Sequence, residues 1–192
     1  MKLDQSYWNE RYLNSKTAWD LKRVSHPMKH IIDRLEDKNA AILIPGAGNA
    51  HEARYLLERG FTNVTVLDIA SDPINRLKKS LYALHLNVIQ QDFFEHQGSY
   101  DIILEQTFFC ALESRFRESY PRQASMLLKD NGALTGVLFN FPDLRAEPPY
   151  GGSAAEYQSL FEPWFHIATI KDCEHSEIER TGKELFIHLI KK

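Results

Sequence analysis

The sequence predicts an α/β fold, with a mostly parallel sheet and helices on both faces. Three observations lead there. Short apolar runs recur at 41–44, 64–67, 87–90, 100–104 and 133–139, as in strands buried on both sides. Helical stretches alternate with them. The first run stops at Pro45-Gly46 and opens onto a second glycine just before a helical pattern.

Taken in order, residues 1–38 hold two helices, near 5–14 and 27–37. Between them lies an irregular stretch with Thr17, Trp19 and Asp20. Ala41–Ile44 is the first strand. A helix follows with Ala50, Ala53, Leu56 and Leu57 on one face, and Gly60 stops it. Val64–Leu67 is the second strand. Ile74, Leu77, Leu81 and Leu84 then fall at the spacing of an amphipathic helix. Asn87–Gln90 and Tyr100–Leu104 are the third and fourth strands. A helix over 114–128 precedes a turn at Lys129–Gly132, and Ala133–Phe139 is the fifth strand. A helix near 153–161 leads to two last strands, 164–170 and 185–190. The polar connection 171–184 reads as an exposed turn, too short for a comfortable crossover helix. The final strand is therefore expected antiparallel to its neighbour. The whole reads as one domain, with 1–38 a helical cover (1–25 its mobile lid) and 39–192 an α/β core.

Composition excludes several classes. The chain has 192 residues, 43% hydrophobic and 26% charged, which suits a globular core and not a disordered segment. Its formal charge is -3, so no basic surface recruits nucleic acid. The two cysteines, Cys110 and Cys173, do not make a disulfide scaffold and fit a reducing cytosol. The start, MKLDQSYWNERY, lacks a signal peptide's apolar run, and no apolar stretch of about 18 residues suggests a membrane span. The expected location is cytoplasmic. Oligomeric state is not legible.

Gly46 and Gly48 allow a sharp turn and close approach of backbone to a ligand. Asp68, 22 residues after Gly46 at the end of the second strand, is placed to accept both hydroxyls of a ribose. A dinucleotide fingerprint asks for a third glycine at position 51, where His51 stands. An adenosine ligand without pyrophosphate fits better, and S-adenosylmethionine is the common one. Asp92, after the third strand, can accept from an adenine amine, and Phe93 can pack on the ring. His26 and His30 share a helix-face spacing suited to zinc, but no third ligand accompanies them, so no metal is expected. Cys110 reads as a small buried thiol.

At this point the residues resemble a known family. Pro45-Gly46-x-Gly48, Asp68, Asp92-Phe93-Phe94 and the run YDIILEQTFFCAL at 100–112 are similar to the thiopurine S-methyltransferase family. The resemblance is closest to its thiol, thiocyanate and halide methyltransferase branch. Trp8-x-x-x-Tyr12 with Thr17-Ala-Trp19-Asp20 is similar to the family's cofactor-covering segment, and Pro148-Pro149-Tyr150 with Glu156-Tyr157 to the segment before the branch's sixth strand. The resemblance implies a Rossmann-like class I methyltransferase fold, seven-stranded with an antiparallel last strand. It implies that Trp8, Trp19, Gly46, Gly48, Asp68, Ile69, Asp92, Phe93 and Gln106 hold S-adenosylmethionine. The apolar and aromatic segments 107–109 and 148–150 are expected to face the transferred methyl, with Phe109 and Tyr150 in the acceptor pocket, although Phe109 reads equally as a core residue. Ala47 stands where many relatives have Cys, Ala50 where many methyltransferases have glycine, and Gln106 where the thiopurine enzymes have arginine.

Methyl transfer from a sulfonium needs positioning and exclusion of water more than acid–base groups. The aromatic residues Trp8, Trp19, Phe108, Phe109 and Tyr150 suit a cationic sulfonium. The expected activity is methyl transfer to a small soft nucleophile, a thiol or a thiocyanate-like anion. Two other readings stay open at this point. One is a nicotinamide-dependent oxidoreductase, favoured by Gly46, Gly48 and Asp68; the other is a non-catalytic S-adenosylmethionine-binding module.

Overall fold

The computed structural model describes residues 2–143 and 145–192. Helix α1 (Gln5–Leu13) and helix α2 (His26–Ile32) precede strand β1 (Ile42–Pro45). Then follow α3 (His51–Glu58), β2 (Val64–Asp68), α4 (Ser71–Lys78), β3 (Leu86–Gln90) and β4 (Tyr100–Gln106). Two short helices, α5 (Ser114–Arg117) and α6 (Ser119–Leu127), lead to β5 (Leu128–Phe139). Helix α7 (Ala154–Phe161), β6 (Phe165–Asp172) and β7 (Glu184–Lys191) complete the chain. One seven-stranded sheet runs β3-β2-β1-β4-β5-β7-β6. Its first five strands are parallel, and β7 is antiparallel to both β5 and β6. The expected fold class is the one observed.

Apolar residues alternate between the two faces of the sheet. Leu43, Leu67, Ile103 and Ile187 pack with Tyr120, Phe161 and Phe165 on one side. Ile42, Ile44, Val64 and Val66 pack with Met28, Leu56 and Leu77 on the other. Both faces are covered, as a parallel sheet requires. Chain order reverses direction across the sheet at β1 and β4. In open α/β sheets ligands bind beyond the carboxyl ends of the strands at such a switch point.

Several elements depart from the sequence pattern. The amphipathic stripe ends early: α4 stops at Lys78, and Leu81 and Leu84 are 84% and 79% exposed on a single 3₁₀ turn. Ser80 donates its hydroxyl to the Leu77 carbonyl (2.7 Å), competing with helix continuation. Helix α2 ends at Ile32, five residues short of expectation, where Asp33 caps it and binds Lys29, Tyr55 and Arg59. The expected helix at 114–128 breaks at Glu118. Pro121 has no amide to give the Arg117 carbonyl, the acceptor four residues back. The turn at 129–132 is built into the start of β5, with Asn131 at φ 61°. No helix among the described residues is long and apolar enough to cross a membrane.

Candidate active site

The loop after β1 turns on residues with positive φ. Gly46 (59°) and Gly48 (51°) are joined by Ala50 (56°), the residue before α3. A Cβ on Gly46 would collide with the Phe108 ring, and one on Gly48 would lie 2.5 Å from the Tyr12 hydroxyl. Both glycines are therefore required by backbone angle and by space. Ala50 adopts the left-handed angle with a side chain, at some cost in strain.

Asp68 closes this loop from below. Its Oδ2 accepts from the Gly48 amide and its Oδ1 from the Ala70 amide, both at 2.8 Å. Burial pushes the carboxyl up, and those amides with that of Ile69 oppose the shift. An ionised carboxylate has about four acceptor sites, and these backbone amides do not fill them all, which leaves room for a ligand hydroxyl. The same burial raises the Tyr12 phenol, with Asp68 adding to the effect.

A cleft of about 480 Å³ opens over these residues, within the range of a cofactor pocket. The structure brings to its wall Trp8, Trp19, Gly46, Gly48, Asp68, Ile69, Asp92, Phe93 and Gln106, the nine residues expected for a cofactor. Trp8 and Trp19 meet edge to face, centroids 5.7 Å apart. Phe93 is nearly buried and stacks on Tyr120. Asp92 Oδ1 accepts from the Phe94 amide, and Gln106 Oε1 from the Ser25 hydroxyl (2.9 Å).

The two expected acceptor residues are not on the wall. Phe109 is 1% exposed in the core, packed on Tyr120, Tyr157 and Phe161. The 3₁₀ turn Phe109–Ala111 points it inward and gives the cleft Phe108 instead. Tyr150 binds the Cys110 carbonyl through its amide, while Pro148 and Pro149 before it line the cleft.

Other groups at the site were not legible in the sequence. Segment 171–184 is no simple exposed turn. Glu177 is buried and takes Arg23 in a bidentate pair (3.0 and 2.7 Å), and Arg180 lines the cleft. Glu105, fully buried at the end of β4, accepts from the Phe108 and Phe109 amides (2.9 Å each) and from the Tyr120 hydroxyl (2.5 Å). Burial pushes its carboxyl up to about 7. Burial and the Glu105 charge likewise raise the Cys110 thiol, as suits an inert cysteine. His30 lies against His175 with centroids 3.5 Å apart and rings tilted by 32°. Among the described residues no group of three or more His, Cys, Asp or Glu could hold a metal ion.

Comparison with known proteins now places the chain. A family model described as Thiopurine S-methyltransferase (TPMT) matches residues 3–190. A probable thiol methyltransferase 2 of Arabidopsis thaliana is 28% identical over 184 residues, covering 92% of this chain and 81% of that protein. Thiocyanate methyltransferase 1 of Brassica oleracea is 24% identical, covering 95% and 83%. In fold, the chain resembles a Burkholderia thailandensis 1,6-didemethyltoxoflavin-N1-methyltransferase solved with S-adenosylhomocysteine. The TM-score is 0.81 at 18% identity, covering 98% of this chain and 87% of that one. A TehB-like methyltransferase of Corynebacterium glutamicum gives a TM-score of 0.71 at 16% identity, covering 98% of each chain. These matches set aside the nicotinamide-dependent and non-catalytic readings. The chain belongs to the thiopurine S-methyltransferase family, and it is an S-adenosylmethionine-dependent methyltransferase.

Proposed function

We propose that this chain methylates a small soft nucleophile, a thiol or a thiocyanate-like anion, in one domain whose N-terminal segment covers the cofactor. Asp68 holds the ribose through the acceptor capacity its backbone partners leave. Asp92 and Phe93 receive the adenine, with Ile69 against the sugar. Gly46, Gly48 and Gln106 border the methionine part, and Trp8 and Trp19 close over it. The cofactor, when bound, supplies a methyl on an activated sulfonium, so the chain's own task is alignment and exclusion of water.

The observation that carries the acceptor class is an apolar part of the cleft lining. Phe108, Leu112, Phe139, Pro148 and Pro149 contribute it, and Arg180 lines the same cleft. Two other arginines on the cleft are already well paired, Arg11 with Tyr7 and Glu147 and Arg23 with Glu177. Among the described residues Arg180 pairs with the buried Glu184 carboxylate at 3.4 Å and donates to the Trp19 carbonyl at 3.4 Å, with its guanidinium 5.7 Å from the Phe139 ring centre. A guanidinium so placed favours an anion. The apolar wall favours a polarisable sulfur over a strongly hydrated oxygen. The activities named for the plant relatives agree with this class.

The test is turnover with thiols of graded pKa beside thiocyanate and matched alcohols, amines and carboxylates. We expect at least one sulfur acceptor to exceed every matched oxygen or nitrogen compound in kcat/KM by tenfold or more. The pH profile should follow the ionisation of the acceptor. An oxygen or nitrogen acceptor a hundredfold better than every thiol and thiocyanate would overturn the sulfur reading.

The covering segment also has a direct test. Helix α1 buries no residue. Asn9 on it accepts from Ser71 and from the Asp72 amide, and Tyr12 lies over Gly48; just before the helix, the Leu3 amide donates to Glu113. Such a segment can open without exposing the core. Limited proteolysis should cut within residues 2–25 in the free protein, and saturating S-adenosylhomocysteine should suppress the cut. Equal rates in both states would show that these residues are not a lid.

A further inference from the structure

We propose that Asp20 and His51 form the latch that holds the covering segment closed on the glycine loop, with His51 the positioning residue on the core side. The inference rests on the cover reading above and adds to it the contact that sets closure.

Asp20 lies in the irregular stretch between α1 and α2. Three donors converge on its carboxylate. His51 Nε2 lies 2.7 Å from Oδ1, the Lys22 amide reaches Oδ1 at 2.7 Å, and Asn49 Nδ2 reaches Oδ2 at 2.6 Å. The carboxylate can only accept, so the His51 ring donates from Nε2. Burial pushes the Asp20 carboxyl up, but these donors outweigh it and hold the group below its usual range, an anion.

The place of this cluster gives it a role in binding. Asp20, Asn49 and His51 line the same cleft as Gly46 and Gly48. The side chains of Asp20 and His51 are only 13% and 18% exposed, so water does not screen the pair as on an open surface. The left-handed turn at Ala50 brings Asn49 and His51, on either side of it, onto one carboxylate. Arg76 of α4 donates to Asn49 Oδ1 at 3.0 Å, fixing the amide so that its nitrogen faces Asp20. Next to Asp20, Trp19 meets Trp8 and Tyr12 edge to face, centroids 5.7 and 6.0 Å apart. The latch thus fixes the aromatic part of the cover directly above the glycines. Position 51, where a dinucleotide fingerprint has glycine, here carries the side chain that grips the cover.

A double-mutant cycle read by calorimetry with S-adenosylhomocysteine tests the latch. His51→Ala and Asp20→Ala are each expected to weaken binding about tenfold, and the double variant by little more than either alone, because the second change removes nothing still formed. His51→Gln carries an amide donor near the Nε2 position and is expected to recover binding to within about threefold of wild type. A purely structural histidine would not be rescued in this way. In limited proteolysis, saturating ligand should protect the covering segment in wild type and in His51→Gln but not in His51→Ala. The latch is overturned if His51→Ala binds within twofold of wild type, or if the two single losses multiply in the double variant. Absence of ligand protection in wild type itself would remove the cover reading and the latch together. Protection in wild type with normal binding by His51→Ala removes the latch alone.

Discussion

Asp68→Ala should weaken S-adenosylhomocysteine binding at least tenfold, measured by calorimetry, and leave the circular dichroism spectrum unchanged. Tenfold is about 1.4 kcal/mol. Each charge-assisted hydrogen bond to a hydroxyl contributes roughly 1.5–3 kcal/mol before water compensates, so losing such a contact reaches that threshold. There is a second contribution. The Asp68 carboxylate also fixes the Gly48 and Ala70 amides, so its removal loosens the glycine loop as well as the ribose seat. Asp68→Asn separates the two. Its single carbonyl oxygen can serve only part of the amide and hydroxyl set, so an affinity between wild type and alanine is expected. If Asp68→Ala binds as wild type does, the ribose assignment is wrong.

Much of the fold was legible because burial on both faces leaves a plain mark in the chain. Ile42–Ile44 and Val64–Leu67 contain no residue that would favour water on either side except Thr65, and both are strands in the sheet. The antiparallel end was legible from length, since 171–184 leaves no comfortable room for a crossover helix, and β7 pairs antiparallel with β6. What failed were boundaries set by single local bonds. Leu81 and Leu84 keep the spacing of a helix, but the Ser80 hydroxyl takes the Leu77 carbonyl and the chain leaves the helix there. Periodicity cannot register such a competition.

The site divides along a similar line. Gly46, Gly48 and Asp68 stand at strand ends, where position in sequence fixes position in space, and all three reach the cleft. Phe108 and Phe109 are adjacent and chemically alike. Which one faces the cleft depends on the turn after β4, and that turn depends on the buried Glu105, which no local pattern singles out. Arg180 and Glu177 sit in a stretch whose composition reads as solvated. Their partners, Trp19 and Arg23, lie more than 150 residues away in the sequence, beyond the reach of periodicity or spacing.

Glu105→Gln should stabilise the protein at alkaline pH and flatten its stability between pH 5 and pH 8. The carboxyl is held near 7 in the folded chain by burial, against a usual 4.5. A group raised in this way favours the folded state only while it is protonated. Its contribution is complete below about pH 4.5, declines as pH rises, and is lost above about 7. A tenfold change in an acid's ionisation constant corresponds to about 1.4 kcal/mol, so the loss from pH 5 to pH 8 amounts to roughly 2–3 kcal/mol. Glutamine keeps an oxygen for the Phe108 and Phe109 amides and never ionises, but its nitrogen cannot accept from the Tyr120 hydroxyl, so the loss of that bond costs the variant the same at every pH. The turn carrying Gln106, Thr107 and Phe108 into the cleft should therefore survive, and S-adenosylhomocysteine affinity at pH 7 should stay within a few-fold of wild type. Urea denaturation of both proteins across this range isolates the effect, because every other titrating group is common to them. A wild-type minus variant difference that does not change with pH would show that Glu105 does not carry this proton. A deficit of the variant against wild type that grows from pH 5 to pH 8 would show that the ionised carboxylate, and not the neutral acid, is what the turn requires.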